Sequence, residues 1–341
     1  MSPASDAGRL AVVVAALLAL LLAAMTAALF VGSARLAPST VLAVLAGRTG
    51  AEAAETVVVL SLRLPRILAA ALAGGALAVA GVGFQALTRN PLAEPATLGV
   101  SSGAAFGVVA GQLAGGADTL AGALRLALFG FAGALAAGVA VYLIAATDGA
   151  LPVQTLLLAG VIVGIFFASA IAVVTSLVDI DRLGGVVHWL LGNVSALPPR
   201  ALALFAGLAA VGVAVIAAHA RALNVLALGE EAALQLGVDA ERLKHRVFAG
   251  AALLTAAVVA FAGPIGFVGL IVPHGLRLLL GPDNRVLVPA ALLGGAGFLL
   301  VADTLARTAV APAELSVGVL TSFCGAPFFV YLLRTRRGGW P

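Results

Sequence analysis

The residues that could take part in chemistry are few in this sequence, and their densest group lies in one window, residues 228–246. That window contains the only lysine of the chain and a dense group of charges: Glu230, Glu231, Asp239, Glu241, Arg242, Lys244 and Arg246. Glycine is costly inside a helix and favoured at its ends, so Gly229 and Gly237 predict two short helical pieces. We expect the glutamates after Gly229 in the first turn of the first piece, and Asp239 as the N-cap of the second.

The first helical piece also has an apolar side, formed by Ala232, Ala233, Leu234 and Leu236. It is too short and too charged to cross a membrane, which needs about 20 apolar residues. It is apolar enough to bind in a groove of another protein. We interpret residues 222–246 as a docking segment that contacts a partner in water.

Catalytic patterns are missing from the sequence. A phosphate-binding loop of the Gly-x-x-x-x-Gly-Lys-Ser/Thr type is excluded, because the single lysine, Lys244, is followed by His245. The four histidines stand apart and Cys324 is the only cysteine, which leaves no ligand set for a metal and no internal disulfide. We therefore predict no catalytic residue, no metal and no cofactor bound by this chain.

Composition identifies the class of protein. The chain has 341 residues, of which 62% are hydrophobic and 10% charged, with a mean hydropathy of +1.16. Soluble domains carry roughly 25% charged residues. The sequence therefore predicts an integral membrane protein whose lipid contacts are extensive, and its net charge of +4 reflects arginines at membrane edges and not a nucleic-acid partner.

The apolar runs predict an all-α fold, because they are long and lack the alternating ten-residue pattern of barrel strands. About ten transmembrane helices are expected, at residues 10–32, 67–88, 96–115, 124–147, 153–177, 201–220, 247–262, 265–280, 286–303 and 315–333. The seventh and eighth share one apolar stretch that is broken at Gly263 and Pro264. The first is expected to be an uncleaved span, since no strongly basic leader precedes it.

An even number of spans places both termini on one side of the membrane. Positive charges are only slightly more numerous on that side, so the arginine cluster at residues 334–337 supports the cytoplasmic assignment of both termini. No linker interrupts the chain, and we expect residues 1–341 to form a single transmembrane domain. Within the third span, glycines recur at every fourth position from Gly99 to Gly115, which favours close helix packing.

Several segments together resemble a known family. They are LRLPRILA at 62–69, FQALTRNPLAEPATLGVSSG at 84–103, the docking segment, GPIGFVGLIVPH at 263–274, ADTLAR at 302–307, APAEL at 311–315 and GAPFF at 325–329. In this order they are similar to the permease subunits of type II ABC importers for ferric siderophores, haem and cobalamin. The match covers nearly the whole chain.

The resemblance implies a homodimer of ten-helix permeases in the bacterial inner membrane. It also implies two ATP-binding-cassette ATPase subunits, which bind ATP and magnesium, and one periplasmic substrate-binding protein. The expected function is import of an iron chelate from periplasm to cytoplasm. Haem is favoured, with ferric siderophore or cobalamin as alternatives by the same mechanism.

The resemblance also implies roles for individual residues. The ATPase-coupling residues would be Gly229, Glu230, Glu231, Ala232, Ala233, Leu236 and Gly237. Arg63, Arg66 and Arg307 would dock the binding protein through its carboxylates, for which arginine offers a rigid fork. The cytoplasmic gate would contain Asn90, Leu92 and Gln154, and the pathway would be lined by Ser169, Thr175, Ser176, Thr321 and Ser322.

Alternatives remain open at this stage. The arginines could be membrane-edge anchors, and the hydroxyls could bond to their own helical backbone. His188, beside Trp189, could contact an iron-bearing cargo or lie in an interfacial aromatic belt. A gradient-driven secondary transporter is the alternative class, although such carriers usually place carboxylates or broken helices at mid-membrane.

Overall fold

The computed structural model describes residues 3–34, 36–47, 53–114, 120–147, 150–178, 180–311 and 313–335, and in these residues helix is the only regular structure besides one isolated bridge, Thr147 to Ala150. A π-helical turn, Val57–Arg63, precedes α4, and a 3₁₀ turn, Pro95–Leu98, precedes α5. The helices are α1 (Pro3–Phe30), α2 (Pro38–Leu45), α3 (Ala53–Thr56), α4 (Leu64–Thr88), α5 (Val100–Leu113), α6 (Leu120–Ala145), α7 (Val153–Leu177), α8 (Ile180–Leu190), α9 (Pro199–Ala218), α10 (Ala220–Leu226), α11 (Glu230–Gln235), α12 (Ala240–Ala262), α13 (Val268–Leu280), α14 (Asn284–Thr308) and α15 (Val317–Thr335).

The described helices confirm an all-α, polytopic membrane protein. Seven candidate spans, in α1, α3 to α4, α6, α7, α9, α12 and α14, are long and apolar enough to cross a membrane, and three shorter apolar helices are α5, α13 and α15. Each predicted span overlaps one of these helices. The remaining helices lie in the connections between them.

The boundary of the seventh predicted span is wrong. Helix α12 begins at Ala240 and not at residue 247, because the Asp239 carboxylate accepts a hydrogen bond from the Arg242 backbone N–H at 3.0 Å and caps the helix there. The second piece of the docking segment is therefore the start of a spanning helix. The break at Gly263 is confirmed, and α13 is a short helix of 13 residues.

Helix α4 lies at the centre of the bundle. In the apolar window of Ala54–Thr88, 83% of the residues are buried, compared with 17% for α7. Small residues allow neighbouring backbones to approach α4 closely: a Cβ at Gly74 would overlap the backbone carbonyl of Gly295, and one at Gly81 that of Gly269. Helices α14 and α13 thus pack directly on α4.

The two ends of α4 define the two ends of the bundle. Arg66, near its start, contacts Asp303 near the end of α14, whereas Arg89, just after its last residue, contacts Glu230 of α11. A helix of 25 residues is about 37 Å long at 1.5 Å per residue, enough to cross the hydrocarbon layer. We call these the Asp303 end and the Glu230 end.

The glycine repeat of the third span packs against α6. A Cβ at Gly103 or Gly107 would overlap the backbone carbonyl of Gly133 or Phe129, respectively. Gly99 precedes the helix with a left-handed φ of 72° and approaches the Gly160 carbonyl of α7. The expected close packing is confirmed for these positions, while Gly115 lies outside the described residues.

The α5–α6 contact predicts a position-specific loss of stability. Gly107→Ala should lower the free energy of unfolding by about 1–3 kcal/mol, because the added methyl forces the two backbones apart. The matched control is Gly138→Ala in α6, where an added Cβ meets nothing within 4 Å. Thermal unfolding in detergent measures both variants, and equal midpoints would contradict the packing described here.

Candidate functional site

The docking segment forms a short helix held between two glycines. Helix α11 runs from Glu230 to Gln235, with Glu230 and Glu231 in its first turn as expected. Gly229 and Gly237 have φ angles of 116° and 79°, which L-residues with a side chain rarely adopt. Both glycines are therefore required by the backbone at the two ends of α11.

The apolar residues of this segment divide into two groups. Ala233 is completely buried, so the expectation that it forms part of a contact surface for a partner is wrong; it anchors α11 within the chain. Leu234 and Leu236 are 71% and 63% exposed, and Leu228 before the helix is 69% exposed. Three exposed leucines at one end of the bundle are a candidate surface for another protein.

Lys244 holds α11 to the bundle, a role that sequence reasoning missed. Its side chain is 2% exposed, and its Nζ lies 2.5 Å from Glu241 and 3.3 Å from Glu230. It also donates a hydrogen bond to the backbone carbonyl of Leu151 at 3.1 Å. A buried charge must be paired, and the only signal in the sequence was that a single lysine stands among glutamates.

Arg89 links the same group to α4. It is 3.6 Å from Glu230 and has a left-handed φ of 49° at the C-cap of α4. The next residue, Asn90, starts the loop that contains the predicted gate. One ion pair therefore joins the docking segment to the residue that precedes that loop.

A second set of contacts attaches α10 to α14. The Asn224 amide donates a hydrogen bond to Asp283 at 2.6 Å, and its oxygen accepts one from the Asn284 backbone N–H at 2.8 Å. The pKa of Asp283 is lowered to about 2, mainly because its carboxylate accepts hydrogen bonds from the Arg285 side chain. Asp283 thus remains ionised as the cap of α14 at ordinary pH.

The predicted gate residues lie in a compact loop after α4. The Asn90 side chain accepts a hydrogen bond from the Leu92 backbone N–H at 2.9 Å, and Leu92 packs against Leu270 and Phe329. The Glu94 carboxylate accepts a hydrogen bond at 3.1 Å from the backbone N–H of Phe267, the residue before α13. Burial raises the pKa of Glu94, an effect that this hydrogen bond opposes.

Gln154 is exposed in the first turn of α7, three residues after Leu151. Its assignment to the gate stays a prediction.

At the Asp303 end, one buried carboxylate organises two of the predicted docking arginines. Asp303 is completely buried, and Arg66 approaches both of its oxygens at 2.9–3.2 Å. Arg307 Nε lies 3.2 Å from Asp303, at ion-pair distance without the alignment of a hydrogen bond. Arg66 also contacts Glu314 at 2.8 Å.

Arg63 is fixed differently. It is 4% exposed and donates hydrogen bonds to the backbone carbonyls of Leu29, at 2.6 Å, and Ala34. Arg307 is also 4% exposed. The guanidinium groups of Arg63, Arg66 and Arg307 all contact partners inside the chain, which the sequence did not predict. Docking of the binding protein on these arginines stays a prediction.

Glu314 is the accessible member of this group, with a side chain 34% exposed. It also accepts a hydrogen bond from the Ser33 hydroxyl at 3.2 Å. Burial opposes ionisation of Glu314, but the hydrogen bonds from Arg66 and Ser33 outweigh it and lower its pKa. Sequence reasoning missed this glutamate, although it lies within one of the quoted motifs.

The predicted pathway hydroxyls are mostly bonded to their own helices. Thr175, Ser176 and Thr321 each donate to a carbonyl three or four residues earlier. Ser169 is exposed and Ser322 partly exposed. His188 shares a hydrogen bond with Asn193 at 2.9 Å, and among the described residues no group of three or more metal-ligating side chains occurs.

Comparison with known proteins gives a consistent result. The model of the FecCD transport family matches residues 20–335. The cobalamin import system permease protein of Halobacterium salinarum is 44% identical over 286 residues, which cover 82% of this chain and 74% of the relative. The hemin transport system permease protein of Yersinia pestis is 41% identical over 281 residues, which cover 82% and 83%.

A solved structure agrees with the fold and with the family. It is described as an inward-facing conformation of a metal-chelate type ABC transporter, and it superposes with a TM-score of 0.82 at 29% identity over 95% of this chain and 99% of its own. The chain therefore belongs to the FecCD transport family, the permeases of type II ABC importers.

Proposed function

We propose that this permease imports haem from periplasm to cytoplasm, driven by ATP hydrolysed on separate subunits. The observation that carries the importer function is the family match over residues 20–335. The exposed leucines of the docking segment add a surface suited to an ATPase partner. Haem as cargo is supported by the hemin permease relative, at 41% identity.

Cobalamin is the second candidate cargo, because the relative named for cobalamin import is 44% identical. Both cargoes are large metal chelates and would use the same mechanism. A ferric siderophore or ferric citrate is a third chelate of this class. A gradient-driven carrier is no longer favoured, since the family is one of ABC importers.

The proposed orientation puts the Glu230 end in the cytoplasm of a bacterial cell, with the protein in the inner membrane. Helix α1 ends at the Asp303 end, where the Leu29 carbonyl contacts Arg63. Helix α15 starts there too, since the Leu315 N–H bonds to the Ala306 carbonyl. The start of α1 and the end of α15 then lie at the Glu230 end, on the side where the ATPases would dock.

The proposed assembly is a homodimer with two ATPases and one binding protein. Helix α7 is largely exposed, with Leu158, Phe166 and Leu177 at 61%, 66% and 81%, and Phe323 of α15 is 79% exposed. A second copy packed on these faces would enclose a pathway between the subunits. Ser169 and Ser322 would then present their hydroxyls to it.

We place binding-protein docking at the rim formed by Arg66 and Glu314. A carboxylate of the binding protein would compete with the partly exposed Glu314 for Arg66, whose side chain is 14% exposed and is kept in place by Asp303. Complementary charge at a rim speeds encounter and fixes register. Arg63 and Arg307 then support the rim from within.

Cargo uptake tests the central proposal. The permease and its cognate ATPase, reconstituted in vesicles with the binding protein, should accumulate haem when ATP is present and not with a hydrolysis-deficient ATPase. Haem, cobalamin and ferric citrate should be assayed in parallel. Uptake of cobalamin instead would establish the second candidate, and no ATP-dependent uptake of any chelate would contradict the proposal.

The ATPase contact predicts a loss of assembly on removing two exposed leucines. Leu234→Ala with Leu236→Ala should weaken ATPase binding about tenfold or more, because buried apolar anchors dominate such interfaces. Leu279→Ala, at a leucine 77% exposed near the same end, is the matched control. Co-purification measures this, and retained binding in the double variant would place the contact elsewhere.

The rim predicts an unusual gain of affinity. Glu314→Gln should tighten binding of the binding protein about two- to fivefold, the value of one exposed ion pair, because it removes the internal competitor for Arg66. Glu55→Gln serves as the matched control, since it makes the same change at a partly exposed glutamate of α3, outside the rim. Surface plasmon resonance on the reconstituted permease measures the dissociation constant, and an unchanged or weaker affinity for Glu314→Gln would rule out docking on Arg66.

A further inference from the structure

The buried ammonium group of Lys244 is saturated by three acceptors. The residue is 1% exposed, and its Nζ contacts Glu230 at 3.3 Å, Glu241 at 2.5 Å and the Leu151 carbonyl at 3.1 Å. An ammonium group has three donors and no acceptor. All three donors therefore have a partner within the chain, at a site that water hardly reaches.

The three acceptors belong to three separate parts of the fold. Glu230 opens α11, Glu241 lies in the first turn of α12, and Leu151 lies in the connection that leads into α7. Leu151 is fixed a second time, because its backbone N–H donates to Glu241 at 2.7 Å. Movement of α11 relative to the start of α7 would have to break charged contacts in a buried site.

Glu230 extends this group to a fourth part. Its other oxygen is 3.6 Å from Arg89, the residue at which α4 ends in a left-handed turn. The loop of Asn90 and Leu92 begins there, and the Asn90 N–H is bonded back to the Gln85 carbonyl of α4. The contacts of Glu230 and Lys244 therefore join α11 both to the connection that leads into α7 and to the end of α4, where this loop begins.

We propose that Lys244 is a positioning residue that makes α11, the start of α12, the start of α7 and the loop after α4 move as one unit. This inference rests on the proposed function, because it assigns the route by which ATPase motion reaches the gate. Coupling between sites needs an element whose contacts both sites bias. Without the ammonium group, Glu230 and Glu241 repel each other and the carbonyl of Leu151 loses its donor, so α11 moves independently.

The test uses two variants in the full complex of permease, ATPase and binding protein. Lys244→Met keeps the shape of the side chain and removes its charge. Glu241→Gln removes the charge of the acceptor nearest to Nζ, at a residue whose side chain is 33% exposed, and it decides the matter should Lys244→Met fail to fold. Arg285→Gln is the matched control, since it removes an exposed ion pair, with Asp283, at the same end of the bundle.

Two quantities are measured: the amount of chelate transported per ATP hydrolysed, with haem, cobalamin and ferric citrate as probes, and the movement of the gate loop. The second is measured as the distance between spin labels on the two copies of the permease, with and without trapped nucleotide. The label is attached at Ala96→Cys, in the 3₁₀ turn that follows the gate loop, and Cys324→Ser removes the native thiol. Both variants should hydrolyse ATP within about twofold of the wild type, while transport per ATP falls about fivefold or more. The nucleotide-dependent change in distance should disappear, whereas Arg285→Gln should keep it.

Other outcomes overturn the inference. Unchanged transport per ATP and an unchanged label response would show that Lys244 only fills space. A parallel fall of hydrolysis and transport would show a merely structural role in assembly. If the wild-type complex itself shows no ATP-driven uptake, the proposed function fails first, which is distinguishable from failure of the variants alone.

Discussion

The pairing of buried charge at both ends of α4 constrains the rest of the structure. An unpaired charge in a bundle surrounded by hydrocarbon is far costlier than one in water. At one end, Asp303 is completely buried and is compensated by Arg66 and Arg307. At the other, Lys244 is compensated by Glu230 and Glu241. These pairs fix the segments that meet water to the ends of the central helix.

Between those ends, close packing of small residues holds α4, and the buried Gln85 adds polar contacts with Arg277 and with the Gly269 carbonyl. The glycines of α4 let α14 and α13 approach to backbone contact, as Gly74 and Gly81 show. In lipid, where water drives no helix association, such close packing provides much of the attraction between helices. A rigid, apolar centre with polar junctions at its ends is suited to carrying movement from one side of a membrane to the other. This is what a permease driven by a partner must do.

Much of the fold could be predicted from the sequence, because about 20 consecutive apolar residues indicate a transmembrane helix. The ends of α11 were also readable, since Gly229 and Gly237 are needed by the backbone. The burial of individual side chains could not be read from the sequence. The pairing of Arg66 with Asp303 and Glu314, and the hydrogen bond from Lys244 to Leu151, join residues far apart in the chain. A single sequence carries no distance information of that kind.

We propose that the two ends serve different partners: the ATPases at α11 and the binding protein at the Arg66–Glu314 rim. A cryo-electron microscopy map of the complete complex with trapped nucleotide tests this proposal most directly. ATPase density is expected on Leu234 and Leu236, and binding-protein density at the opposite end over Glu314. Density for both proteins at one end, or an ATPase that leaves α11 uncovered, would contradict it.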